Sequence, residues 1–244
     1  MKYSTQTSRQ LMSAIALTSI GVFFGASLQA DVLAQYDMET SGSRIVASTV
    51  ISDITSSDLV GNNLNTPSSF TLASVDAADD YIAWSRNAGS AQTTAEGVIA
   101  DNTYFSFTLT PEVGKSITID SISFDVAAGT AGPSDRQFYL FADKSGYLSG
   151  NVLFSASTEI GSPLLPYNTT TFDQNFSITL SGNSAFQNIT DSVTFRLYIA
   201  TPTNSQNIGF DDITVNGSVI PEPGSYALLG GLCALTAVMI GRRR

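Results

Sequence analysis

A chain of 244 residues with no histidine, a single cysteine and 21 acids against 11 bases excludes several chemistries at once. Without histidine there is no Ser-His-Asp or Cys-His catalysis, no imidazole-ligated zinc and no ordinary general base near neutral pH. Residues 31–220 hold six Lys or Arg and twenty Asp or Glu, a net charge of −14 that disfavours nucleic acid and anionic membrane surfaces as partners.

Residues 1–30 read as a secretory signal peptide. Lys2 and Arg9 charge its start, Leu11 to Phe24 form an apolar core, and small or polar residues run from Ala26 to Ala30. Cleavage by signal peptidase is expected after Ala30, with Ala26 as the alternative. The one cysteine, Cys233, lies near the other end, so the exported body has no disulfide and relies on its core; about 190 residues suffice for that.

From residue 31 the chain alternates apolar and polar positions with period two. Val32, Ala34, Tyr36 and Met38 predict a first strand, Phe105, Phe107 and Leu109 a later one, and Val193, Phe195, Leu197 and Ile199 another. Further strands are predicted near 45–51, 81–85, 137–142, 172–180 and 208–215. Between Ser116 and Val126 the apolar parity switches from Ile117 and Ile119 to Ile122, Phe124 and Val126, which predicts a β-bulge near Asp120-Ser121. Turn clusters include Gly61-Asn62-Asn63, Pro111-Glu112-Val113-Gly114 and Ser181-Gly182-Asn183-Ser184. No amphipathic helix is expected between 31 and 220. The pattern predicts an all-β domain over 31–218, a two-sheet antiparallel β-sandwich of jelly-roll type, with 216–220 serving as a short linker.

The chain ends in three unlike pieces. Pro221-Glu222-Pro223 forms a rigid extended tripeptide; an uncharged apolar run, Tyr226 to Ile240, includes Leu228, Leu229, Leu232 and Leu235; Arg242, Arg243 and Arg244 close it. As a helix the run would measure roughly 22 Å, short against a hydrocarbon core of about 30 Å, a gap that arginine snorkelling and bilayer thinning could close. The arginines should stay cytoplasmic, leaving the body outside the inner membrane. This arrangement, residues 219–244, resembles the PEP-CTERM sorting domain of Gram-negative bacteria. The resemblance implies an exosortase, an integral-membrane processing enzyme, as partner, and passage through an inner-membrane stage to the envelope surface or exopolysaccharide matrix.

Candidate chemistry in the body is sparse. In Gly209-Phe210-Asp211-Asp212-Ile213-Thr214-Val215, parity places Asp211 on the side of Ile213 and Val215, where a carboxylate needs donors or a cation. The phrase looks like the closing strand of bacterial jelly-roll domains that include carbohydrate-binding modules. That likeness implies a structural Ca2+ between first and last strands, with Asp37, Glu39 and Asp211 as candidate ligands. The alternative is that Asp211 sits in a wet loop accepting backbone N–H bonds. Trp84, Tyr147 and Tyr167 are candidate faces for stacking on sugar rings, against the alternative that they are ordinary core or loop residues. Carboxylate pairs such as Asp79-Asp80, Asp120 with Asp125, and Asp211-Asp212 exist, but an acidic β-protein supplies such pairs by chance. No catalytic residue stands out and no cofactor beyond Ca2+ is suggested. The expected function is a non-enzymatic exported surface protein; a carbohydrate-binding module is the second reading and a glycan-active enzyme the third.

Overall fold

The computed structural model describes residues 30–38, 45–65, 68–71, 80–84, 92, 94–128, 136–157, 174–201, 208–221, 231, 235, 238 and 239. In chain order the strands are β1 (Asp31–Tyr36), β2 (Thr49–Val50), β3 (Ile54–Ser56), β4 (Val60–Asn62), β5 (Ser68–Thr71), β6 (Asp80–Trp84), β7 (Tyr104–Pro111), β8 (Lys115–Ala128), β9 (Gln137–Ala142), β10 (Phe154–Ser157), β11 (Gln174–Thr179), β12 (Val193–Ala200) and β13 (Ile208–Pro221). A short helix, α1 (Ala95–Asp101), precedes β7.

The strands form two sheets. The seven-stranded sheet runs β11-β8-β13-β1-β2, with β6 and then β5 attached to the first residues of β13. The six-stranded sheet runs β10-β9-β12-β7-β3, with β4 also on β7. All named pairings are antiparallel, and from β7 onward the chain repeatedly crosses between sheets, as a jelly-roll-type sandwich does. The core is largely phenylalanine, and Phe138 of the smaller sheet packs on Phe210 and Phe124 of the larger at centroid distances of 5.3 and 5.6 Å. Each such ring pair adds about 0.5–1.5 kcal/mol beyond the area it buries.

The pair β8–β13 carries two irregularities. Asn216 pairs with Ser121 and Gly217 with Ile119, so Asp120 is the extra residue where the parity switch predicted a bulge. On the other strand, Asp211 pairs with Asp125 and Thr214 with Ser123, and Asp212 adopts φ 48°. This second bulge lets both Phe210 and Ile213 enter the core, so Asp211 shares the outer face with Asp125 rather than the side of Ile213. At Gly217 the strands approach so closely that a Cβ would collide with the Thr118 carbonyl.

Other expectations are corrected. A register shift between Val32 and Ala34 turns Val32 outward and buries Leu33. The strand expected over 45–51 shrinks to Thr49–Val50, and Gly61-Asn62 belong to β4, with Asn63 at φ 50° making the turn. α1 was not expected: with only Val98 buried it has no periodic stripe, and its signals are a Thr94 cap accepting from Gly97 N and a left-handed Asn102 at its end. Residues 216–220 are not a linker. β13 stays paired with β8 through Pro221 opposite Lys115, so the body extends past residue 218 to the first residue of the tripeptide.

Candidate functional site

The outer face of the six-stranded sheet gathers side chains with binding chemistry. Register places Arg196 of β12 beside Ser106 of β7 and Phe141 of β9, and Tyr198 beside Tyr104 and Tyr139. One row over, Thr108 and Thr194 share a hydroxyl hydrogen bond of 2.9 Å. α1 covers one part of this face, where Val98 packs with Tyr139, Phe141, Tyr198 and Ala200 in a second, smaller core.

The loop between β9 and β10 supplies the remaining group. Gly146, at φ 81°, turns the chain, and Asn151 donates its amide to the Ser145 carbonyl. Tyr147 is thereby aimed back at the sheet, where its hydroxyl donates to the Thr194 carbonyl at 3.0 Å. The Arg196 guanidinium lies between two rings, 3.9 Å from the Tyr147 centroid and 4.3 Å from that of Tyr104, and donates to the Tyr198 hydroxyl at 3.2 Å. Burial pushes the Tyr147 phenol up to about 12, against the opposing pull of the guanidinium. Lys115 and Lys144 each hold a carboxylate, Asp53 at 3.1 Å and Asp191 at 2.7 Å. Arg196 has no acid against it among the described residues, so its charge is met by ring faces and a hydroxyl alone.

Of the ligand candidates read from the sequence, Tyr147 joins this site. Trp84 lies on β6, its backbone paired with Ile208 at one end of the other sheet. Tyr167 lies outside the described residues. Arg196, Tyr104 and Tyr198 escaped the sequence reading; their alternation put them on a polar face, but only the pairing of β7, β12 and β9 shows that they meet.

The metal candidates are partly assembled. β1 does pair with β13, and Asp37 follows Tyr36, the partner of Ile213, so first and last strands are neighbours as expected. Asp211, 4% exposed, accepts from its neighbour's backbone N–H, and Asp125 accepts from the Asn175 amide at 2.7 Å. Among the described residues no three His, Cys, Asp or Glu are arranged to hold an ion, short of the six to eight oxygens of a Ca2+ shell. Glu39 lies outside them.

At the ends, Ala30 is exposed one residue before β1, and Pro221 closes β13. Gly231, Leu235, Val238 and Met239 are helical and exposed. Glu222, Pro223, Leu228, Leu229, Leu232, Arg242, Arg243 and Arg244 lie outside the described residues, among which no helix is long and apolar enough to cross a membrane.

No family model matches the chain, and no curated protein is similar in sequence. Solved structures with loosely similar coordinates include the K1 cleaved adhesin domain of Lys-gingipain from Porphyromonas gingivalis W83, at 11% identity and a TM-score of 0.35, covering 74% of this chain and 95% of that one. The CBM22-1 xylan-binding domain of Paenibacillus barcinonensis Xyn10C matches at 9% identity and 0.34, over 77% and 95%. A family 11 carbohydrate-binding module of Clostridium thermocellum Lic26A-Cel5E matches at 13% and 0.34, over 78% and 95%. At such identities and TM-scores these likenesses assign no activity to the chain.

Proposed function

We propose that this chain is an exported, non-enzymatic envelope protein whose β-sandwich binds glycan through the outer face of its six-stranded sheet. The signal-peptide pattern at its start supports export. The PEP-CTERM-like tripeptide, apolar run and arginine tail support passage through an inner-membrane stage and processing by an exosortase-type enzyme. The absence of histidine from the sequence removes the usual general base near neutral pH.

The glycan reading rests on one observation: a guanidinium held between Tyr104 and Tyr147, with no acid against it among the described residues, on the face that also carries Ser106, Thr108 and Thr194. Sugar rings present C–H faces that pack on tyrosine and hydroxyls that accept from guanidinium N–H groups. The test is retention of the full chain, in detergent, on immobilised β-glucan, xylan and alginate. Wild type should be retained on at least one, and Arg196→Gln and Tyr147→Ala should lose at least ten-fold in affinity while keeping the native circular dichroism spectrum. Passage of wild type through all three columns, or equal retention of the variants, overturns the reading.

A further inference from the structure

We infer that the end of the sandwich carrying Pro221 and the turn Glu112-Val113-Gly114 rests against the lipid interface of the membrane that holds the C-terminal segment. The inference depends on the proposed membrane stage and adds which surface of the body meets the bilayer. Its basis is tether length. β13 remains in register with β8 as far as Pro221 opposite Lys115, and the apolar run begins at Tyr226. Five peptide steps separate those residues, at most roughly 17 Å of fully extended chain. β13 alone has 14 residues, roughly 46 Å of strand, so the tether is much shorter than the body is long. The body therefore cannot turn over to present its opposite end.

Three further features collect at this end. Asp31 pairs with Gly217, so the segment preceding β1 enters here too, and before signal cleavage both apolar terminal segments leave from one place. The β7–β8 turn is locked to the turn before β3 by Glu112 N donating to the Asp53 carbonyl at 2.9 Å, and Lys115 is already neutralised by Asp53. At the tip of that turn Val113 is fully exposed, at 104%. An apolar tip flanked by Glu112 and a neutralised lysine suits zwitterionic headgroups rather than anionic ones.

The experiment uses the full chain with Cys233→Ser, reconstituted in phosphatidylcholine vesicles containing nitroxide-labelled lipid. A fluorophore is attached at Val113→Cys or, as control, at Ala100→Cys, exposed on α1 towards the opposite end. Quenching at position 113 should be at least twice that at position 100. Equal quenching, in chains that float with the vesicles, overturns the assigned surface while leaving the membrane stage standing. Chains that fail to float overturn both.

Discussion

The two outer faces of the sandwich are built from different materials, although the inner faces are alike. On the seven-stranded sheet the outer rows are short polar groups: Asp125 opposite Asp211, Ser123 opposite Thr214, Ser121 opposite Asn216. On the six-stranded sheet the corresponding rows hold Tyr104, Tyr139, Phe141, Arg196 and Tyr198, partly roofed by α1 and the Tyr147 loop. The first face carries two bulges; the second has both β12 pairings free of register shifts and supports a second layer. A domain without disulfides places its stability between the sheets and leaves each outer face free to diverge.

The largest effect should come from what the faces share. Phe138 contacts rings from both sheets, and Phe138→Ala should cost about 3–5 kcal/mol in urea unfolding and weaken both sheets together. A loss below about 1 kcal/mol would mean that the inner faces do not act as one core. Gly217→Val belongs to the seven-stranded sheet alone. The added carbons meet the Thr118 backbone and Leu33, and a loss of about 2 kcal/mol or more is expected. Hydrogen exchange should then quicken in β8 and β13 before it does in β12.

The inner faces were legible because burial enforces period two: Phe105, Phe107 and Leu109 read from the sequence as they sit, and the switch around Asp120 located a bulge. Counting parity from Ile213 and Val215 puts Asp211 on their side, but the apolar positions switch from Ile208 and Phe210 to Ile213 and Val215 as they do around Asp120, and the second bulge, at Asp212, turns Asp211 to the other face. The Arg196 site was illegible for a different reason. Its members come from β7, β12 and the β9–β10 loop, and register between distant strands is decided by the whole sheet, not by any one segment. Residues 216–220 read as a linker, whereas β13 continues in register with β8 to Pro221 and Gly217 answers a close approach between the strands.

Removing the cation tests the second face by itself. Arg196→Met keeps the stem and drops two ring contacts and one hydroxyl bond, and should cost about 1–2 kcal/mol with exchange in β8 and β13 unchanged. Protection lost equally in both sheets would erase the distinction between the faces.

A pH titration sharpens the same point. Burial raises the Tyr147 phenol to about 12, and Tyr36, buried and bonded to Ser56, likewise to about 12. A phenol whose folded pKa lies above its unfolded value near 10 contributes stability that is complete below pH 10 and is lost as pH rises towards 12. Melting temperature should therefore fall over that window, and Tyr147→Phe should remove part of the fall while Tyr36→Phe removes a separate part. An unchanged alkaline limb in Tyr147→Phe would show the loop open in solution.

The smallest effect is expected where the Tyr147 loop begins. Lys144 holds Asp191 at 2.7 Å and lowers its carboxyl, but Asp191 is exposed, so solvent and salt screen the pair. A lowered carboxylate contributes above its unfolded pKa and ceases to contribute as pH falls through the folded one, so any gap between wild type and Asp191→Asn should close below about pH 4. At neutral pH the two should melt within a degree or so of each other, and 0.5 M salt should remove even that. A large gap that persists in salt would mean that the turn at Lys144 is under tension relieved only by this ion pair, and the loop that delivers Tyr147 would then owe its position to charge rather than to Gly146 and Asn151.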